Sequence, residues 1–238
     1  WVYNYSKDEL VNNMTSFIDF YNGQLGEADI DLNPKKISWT VNLKKDLTKG
    51  TKHQLKSEEI IRSIYRPFCK QQLYFDRPFI ERPGLKPKFF PTDKHDNLIL
   101  CVTGKSLFSF SVLLARNVAE MGFLNGRNGS TQCFPFHYYE ERDKQTSNIF
   151  EAVGDSEYIK RDGVSDFILK RARENYGDRV TKEDIFYYVY GILHSPDYRT
   201  TFANDLKKML PRIPLVEKPK DFWAFSKAGR DLAELHLN

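Results

Sequence analysis

Proline is concentrated between residues 67 and 91, where five of the eleven prolines of the chain occur. Proline lacks a backbone N–H and fixes φ, so this density excludes a long helix and disfavours central strands. Phenylalanine and tyrosine alternate with lysine and arginine through the same residues. We therefore predict an ordered loop with edge strands, a type of segment that often binds a partner when a rigid scaffold holds it.

Charge is unevenly distributed along the 238 residues, although the net charge is only +4. Residues 35–105 contain 16 Lys and Arg against 7 Asp and Glu, an excess of +9. Residues 1–34 carry one Lys against six acidic residues, and residues 106–238 carry 19 charges of each sign. A local positive excess indicates a surface for a polyanion such as nucleic acid, and the alternative is a solvated lysine-rich face that binds nothing.

The pattern of apolar residues changes near residue 145. A capping box at Ser6 begins an N-terminal helix. Residues 43–50 are polar and basic, with a turn suggested at Gly50, and strand patterns cover 36–41, 97–102, 108–114 and 133–139. Helical patterns then cover 165–176, 181–193, 195–210 and 221–237. We predict an α+β fold in which a strand-bearing lobe with long basic, proline-rich loops (1–145) is followed by a helical lobe (146–238).

Motifs for catalysis are absent from the sequence. It contains neither a P-loop, nor a Gly-x-Ser-x-Gly elbow, nor an adenine-methylation motif. The five histidines form no metal pair at helical spacing, and His194 is expected to be a partly charged imidazole at a helix end. Acidic clusters at 140–144 and 157–160 have the character of solvated turns or helix starts. We therefore predict no catalysis by this chain alone, with a metal-dependent nuclease as a less favoured alternative.

The cysteines and the hydropathy indicate a cytoplasmic setting. Three cysteines, widely separated, disfavour a disulfide framework or a zinc cluster. The longest nearly apolar run, residues 107–115, is too short to cross a bilayer, and no signal-peptide pattern opens the chain. Because the first residue is Trp1 rather than Met, we expect a segment of a longer polypeptide or a processed chain.

A series of short strings gives the chain a family resemblance. The C-terminal part contains Tyr-Tyr-Val-Tyr-Gly-Ile-Leu-His-Ser-Pro-Asp-Tyr-Arg at 187–199, Leu-Pro-Arg-Ile-Pro at 210–214, Phe-Trp at 222–223 and Ser-Lys-Ala-Gly-Arg at 226–230. The N-terminal part contains Trp-Val-Tyr-Asn at 1–4, Ile-Ser-Trp at 37–39, Leu-Lys-Lys-Asp-Leu at 43–47, Tyr-Arg-Pro-Phe at 65–68, Leu-Tyr-Phe-Asp at 73–76 and Gln-Cys-Phe-Pro at 132–135. In this order, the strings resemble the C-terminal specificity region of Type ISP restriction-modification enzymes over nearly the whole chain.

The resemblance implies recognition of double-stranded DNA, in agreement with the excess positive charge. Such enzymes join a nuclease, an ATP-driven translocase (helicase), an adenine methyltransferase and a target-recognition domain in one polypeptide. The resemblance therefore implies that S-adenosylmethionine, ATP and Mg²⁺ bind in other domains and that none of them binds here. It also implies that the helical lobe packs against the methyltransferase. Protein–protein docking without DNA binding is the alternative function.

Lysine and arginine suit different parts of a DNA interface. Phosphate contacts position a DNA reader, and we assign them to Lys35, Lys36, Lys44, Lys45, Lys49, Lys52, Lys86 and Lys88. A guanidinium can contact guanine O6 and N7 together, and an amide side chain can read adenine in the same way. Base contacts are therefore assigned to Arg62, Arg66, Arg77, Arg82, Arg127, Asn128 and Gln132, with a surface salt bridge as the alternative for each. Aromatic residues of this region, including Tyr74 and Phe134, are expected mostly in the core.

Overall fold

The computed structural model describes residues 1–92, 94–104, 109–124, 131–142 and 157–237. Strands dominate the first two thirds of this part of the chain and helices the last third, which confirms the predicted α+β class. Its strands are β1 (Tyr3–Asn4), β2 (Ile60–Arg66), β3 (Cys69–Tyr74), β4 (Ile99–Thr103), β5 (Val112–Ala115), β6 (Val118–Ala119), β7 (Thr131–Pro135), β8 (His137–Glu141) and β9 (Tyr158–Asp162). Its helices are α1 (Lys7–Gly23), α2 (Val41–Thr48), α3 (Lys86–Phe89), α4 (Asp166–Tyr176), α5 (Lys182–His194), α6 (Pro196–Thr201), α7 (Ala203–Leu206) and α8 (Pro219–Leu237).

The first sheet has the strand order β1-β3-β2-β6, with β2 parallel to β6 and the other pairs antiparallel. Strand β3 lies between two neighbours, so the expectation that the proline-rich stretch supplies only edge strands is wrong. The reason is local: residues 69–74 contain no proline and keep every N–H for the ladder. Pro67 and Phe68 instead form the tight turn that joins β2 to β3, and the other prolines follow β3.

Residues 36–41 do not form the predicted strand, and most of the polar, basic residues 43–50 belong to helix α2, which was not predicted. The Thr40 hydroxyl accepts a hydrogen bond from the N–H of Leu43 at 3.0 Å, a capping bond that fixes the start of the helix. Ile37 is buried in the core beneath α1 instead of pairing with a strand. The strand-like composition thus reflects core packing and a helix cap.

The second sheet has the order β5-β4-β7, and β8 pairs with β9 in a hairpin. The strand predicted at 133–139 is two strands: the N–H of Phe136 still donates to the carbonyl of Leu98, whereas the N–H of His137 donates to the side-chain oxygen of Asn97 and β8 pairs with β9. In place of the strand predicted at 108–114, β5 starts only at Val112. Residue 108, the first residue of the predicted strand, lies outside the described residues. Strand β9 lies within residues 146–238, where only helices were predicted. The predicted lobe boundary at 145/146 lies outside the described residues and stays a prediction.

Strand β4 separates two of the hydrophobic clusters that form the core. Ile99 and Cys101 face the cluster shared with β2, β6 and α3, whereas Leu100 and Val102 face the cluster built around α5 and α8. All five residues of the strand are buried. A third cluster joins α1 and α2 to β2 and β3.

Helices α5 and α8 pack closely enough that side chains are excluded from their crossing point. A Cβ on Gly191 would overlap the carbonyl oxygen of Phe225, and one on Gly229 would overlap that of Tyr187. Thr181 and Asp184 form a capping box at the start of α5, in agreement with the helical pattern at 181–193. The helix predicted at 195–210 is instead broken at Phe202 into α6 and α7.

Tyrosine hydroxyls attach the extended link after α7 to the helices. Tyr176, Tyr188 and Tyr198 donate to the carbonyls of Val216, Pro214 and Arg212 at 2.8, 2.6 and 2.9 Å. These bonds satisfy backbone groups of a segment whose two prolines prevent it from joining a helix or a ladder. Among the helices described, none combines the length and the apolar composition that a membrane span requires.

Candidate nucleic-acid interface

Helix α2 and the proline-rich segment after β3 are joined at the start of the helix. The Thr40 hydroxyl donates to the carbonyl of Pro78 at 2.5 Å, and the N–H of Val41 donates to a carboxylate oxygen of Glu81 at 3.0 Å. The side-chain amide of Asn42 donates to the carbonyl of Arg77 at 3.4 Å. A carboxylate at a helix N-terminus also complements the helix dipole. These contacts place α2 next to residues 77–88. We call the surface formed by the basic residues of these two elements the basic face.

The lysines assigned to phosphate contacts are available to a ligand. Seven of the eight are exposed and Lys86 is half-buried. In the described part of the chain, the lysines that pair with carboxylates are Lys56, Lys182 and Lys227, which are not among the eight. None of the eight ammonium groups is thus paired with a carboxylate of the described residues. Their contacts with phosphate remain a prediction.

Arg82 occupies an unusual backbone conformation at the tip of the loop after β3. Its φ is +54°, and Pro83 and Gly84 complete the turn. The side chain is 85% exposed, and its Nε lies 3.7 Å from a carboxylate oxygen of Glu81. An exposed ion pair of this length contributes little to stability. The loop therefore holds a guanidinium in solvent at a cost in backbone strain, which is a frequent property of functional loops.

Arg62 and Arg77 are exposed, on β2 and directly after β3 respectively. Arg62 lines a small cleft of about 110 Å³ together with Arg116, Asn117 and His95. Arg116, which lies in the turn between β5 and β6, was not among the arginines predicted to contact bases. A signal was present, since Arg116 is the single charged residue between Leu107 and Ala119.

Arg66 makes its contacts within the protein. Its Nη1 lies 2.6 Å from a carboxylate oxygen of Glu120 and 2.6 Å from the carbonyl of Tyr65, and its guanidinium lies over the Tyr65 ring at 4.2 Å from the centroid. Glu120 also accepts a hydrogen bond from the N–H of Gly122 at 2.6 Å. The geometry therefore gives Arg66 a structural role that links β2 to the segment after β6, and its base contact remains a prediction.

The last group of predicted base readers lies near β7. Arg127 and Asn128 lie outside the described residues. Gln132 is exposed on β7, opposite Val102 of β4 in the ladder. Of the aromatic residues expected in the core, Tyr74 is fully buried, whereas Phe68 and Phe134 are exposed.

The two acidic clusters proposed as turns or helix starts lie largely on paired strands. Glu140 is opposite Ile159 and Glu141 is opposite Tyr158 in the β8–β9 hairpin, so that expectation is wrong for these residues. Alternation on a solvated hairpin explains their charged composition, and Glu140 pairs with Arg161 at 3.0 Å. Among the described residues, no group of three or more His, Cys, Asp or Glu side chains is arranged to hold a metal ion.

His194 differs from its expected state at the end of α5. Burial, followed by the charges of Arg199 and His236, lowers the pKa of His194 to about 4. The imidazole is therefore neutral at pH 7, and the expectation of a partly charged ring is wrong. The helix dipole does not compensate for the removal of the ring from water and for a neighbouring guanidinium.

Comparison with known proteins adds a family and several solved relatives. The model of the Type ISP C-terminal specificity domain matches residues 1–238. No curated protein matches significantly. Three solved structures are similar over the full length of the chain: the ATP-dependent Type ISP restriction-modification enzyme LlaBIII bound to DNA (30% identity, TM-score 0.82), a nuclease-deletion mutant of the Type ISP enzyme LlaGI with a DNA substrate mimic (31%, 0.77), and a DrdV–DNA complex (28%, 0.83). The chain spans 15%, 17% and 22% of those chains, respectively.

Proposed function

The chain belongs to the Type ISP C-terminal specificity domain family, and we propose that it recognises a target sequence in duplex DNA. The observation that carries this proposal is the basic face, where α2 and residues 77–88 present exposed lysines and arginines on neighbouring elements. The DNA complexes of LlaBIII and LlaGI, at 30% and 31% identity, support it.

In this proposal, lysines hold the duplex and arginines read it. The exposed ammonium groups of α2 and its flanking segments neutralise phosphates, which fixes the register of the protein on DNA without selecting a sequence. Arg62, Arg77 and Arg82 then approach base edges in the major groove, where a guanidinium favours guanine. Arg82 is the strongest of these assignments, because its turn holds the side chain away from the body of the protein.

We further propose that the chain supplies specificity and no catalysis to a longer polypeptide. Recognition would position DNA for N6-adenine methylation and for ATP-dependent restriction by other domains, which would bind S-adenosylmethionine, ATP and Mg²⁺. The methyltransferase and helicase domains of that polypeptide are the proposed protein partners. Exposed apolar side chains on the helices, Phe167 of α4 and Leu235 of α8, support a docking role for the helical part.

The test is a selection of duplex DNA from a random-sequence pool at two salt concentrations, followed by sequencing of the bound fraction. We expect one enriched sequence motif. We also expect a loss of affinity of roughly 10³-fold or more between 50 and 200 mM salt, as for proteins that make about six to ten phosphate contacts.

Other outcomes of the selection identify the alternatives. Salt-sensitive binding with no enriched motif would contradict target recognition and leave non-specific DNA binding. Absence of binding at low salt would contradict DNA recognition by this chain and favour the docking function. Cleavage of the pool that requires Mg²⁺ would instead support the nuclease.

A further inference from the structure

Two free cysteines lie directly opposite each other in the second sheet. Cys101 of β4 and Cys133 of β7 are register partners in the antiparallel ladder, and their sulfur atoms are 3.7 Å apart. Directly opposed residues in such a ladder have Cα atoms about 4.5–5.5 Å apart, which is within the range that a disulfide spans. A covalent bond between the sulfurs therefore requires side-chain rotation of both residues and little movement of the strands.

The two thiols have different environments. Cys101 is fully buried in the cluster shared with β2 and α3, and burial raises the pKa of its thiol well above the usual value. Cys133 is half-buried on β7, the outer strand of this sheet among the described residues, and is therefore more accessible than Cys101 although it packs against the same cluster. A hydrogen bond from the Cys101 thiol and the nearby charge of Lys86 lower the pKa of Cys133. Cys133 is thus the more nucleophilic and the more accessible sulfur of the pair.

We propose that Cys101 and Cys133 form a reversible dithiol–disulfide pair that a peroxide oxidises. The Cys133 thiolate attacks one peroxide oxygen, the O–O bond breaks, and Cys133 becomes a sulfenic acid while hydroxide leaves and takes up a proton. The Cys101 sulfur then attacks the Cys133 sulfur, the S–O bond breaks, and water leaves with the thiol proton of Cys101. In balance, two thiols lose two electrons and two protons, and hydrogen peroxide is reduced to two waters.

The product ties two strands that are far apart in sequence. The disulfide would close the chain between residues 101 and 133, a segment that contains β5 and β6. Closing a loop of this size restricts the unfolded chain, so oxidation is expected to raise the melting temperature by roughly 5 °C or more. Cys69, the third free cysteine, contacts the hydroxyl of Tyr5 at 3.4 Å and has no thiol neighbour among the described residues.

The experiment treats the 238-residue chain with hydrogen peroxide, blocks remaining thiols with N-ethylmaleimide, and maps tryptic peptides by mass spectrometry. We expect peptide 95–105 to be linked to peptide 128–142, Cys69 to be alkylated, and dithiothreitol to release the linked pair. The variant Cys133→Ser should remove the link and protect Cys101 from oxidation. The variant Cys69→Ser should leave the link unchanged, as a matched control.

Three results would overturn the proposal. The first is oxidation of Cys133 to a sulfinic acid without formation of a disulfide. The second is a disulfide that involves Cys69 or a second copy of the chain. The third is a Cys101–Cys133 disulfide that forms only after the chain is unfolded in urea. The readout is the covalent state of the wild-type thiols, so it depends neither on DNA binding nor on the folding of a variant.

Discussion

The basic face and the α5–α8 pair use their residues in opposite ways. On the basic face, charged side chains remain in solvent, and Arg82 holds a positive φ value although it is not a glycine. In the α5–α8 pair, glycines bring two backbones together and tyrosine hydroxyls satisfy backbone carbonyls. The first arrangement leaves groups free for a ligand, whereas the second leaves few polar groups without a partner. Substitutions should therefore affect ligand binding in one region and stability in the other.

The largest effect is expected at the helix crossing. In Gly229→Ala, the new Cβ would overlap the carbonyl oxygen of Tyr187, which belongs to a backbone and cannot rotate away. We expect a loss of about 3 kcal/mol or more in the free energy of unfolding, measured by urea denaturation. Gly23→Ala is the matched control, because a Cβ at this position of α1 meets nothing within 4 Å. Equal stabilities of the two variants would show that α5 and α8 do not pack closely.

On the basic face, the expected effect is on DNA affinity. Replacing Lys44, Lys45 and Lys49 by Gln should weaken binding of duplex DNA roughly 100-fold at low salt and reduce the slope of log affinity against log salt by up to about 3. The free energy of unfolding should stay within about 0.5 kcal/mol of the wild type. The same substitutions at Lys207, Lys208 and Lys220, which are exposed in the helical part, provide the control. An equal loss of affinity in both triple variants would contradict a localised interface.

Acid should destabilise the helical region through His194. Its pKa is about 4 in the folded chain and about 6.5 when unfolded, so the unfolded state binds the proton first. The neutral His194 ring contributes fully to the free energy of unfolding above about pH 6.5. This contribution is lost as the pH falls towards 4, which lowers the free energy of unfolding by about 2 kcal/mol after allowance for partial exposure. Arg199, His236 and Tyr190 surround the ring. Urea unfolding from pH 7 to pH 4 should show a flatter profile for His194→Gln, and an unchanged profile would assign the acid sensitivity to other groups.

The smallest effect is expected at Phe68, which has a φ of +62° and is 69% exposed. Glycine adopts this conformation without strain, so Phe68→Gly should raise the free energy of unfolding by about 0.5–1 kcal/mol. Phe68→Ala is the control, because alanine retains the strain and loses the ring contact with His236. If both variants were less stable than the wild type, the ring would stabilise the turn by more than the strain costs.

Sequence patterns predicted those elements whose signals are local. The cap residues Ser6 and Thr181 and the apolar spacing predicted α1, α5 and α8, although the N–H of Ser6 donates to Asn4 and so does not complete the predicted capping box with Glu9. The strand predicted at 36–41 was wrong because Ile37 and Trp39 pack into the core without forming a strand, and helix α2 was missed because Leu43 is its only buried residue. Strand β9 was missed because it is short, charged and stabilised by pairing with β8.

In the candidate site, too, local properties could be predicted from the sequence and long-range contacts could not. Charge and exposure could be predicted from composition, whereas the partners of each side chain depend on contacts between distant residues. Arg66 and Arg77 lie in the same basic, aromatic-rich part of the sequence and were given the same role. In the structure, however, Arg66 pairs with Glu120, 54 positions away. The arrangement of β2 and β6 that makes this contact is not visible in either local sequence.

Strand β4 has a consequence for how the molecule responds to stress. Because its alternate side chains belong to different clusters, neither cluster can be lost without exposing one face of the same five residues to water. The mixed N-terminal part and the helical C-terminal part therefore share a structural element, and chemical denaturation should unfold them in a single cooperative transition. A destabilising change in the helices would thus lower the population of folded chain that presents the basic face.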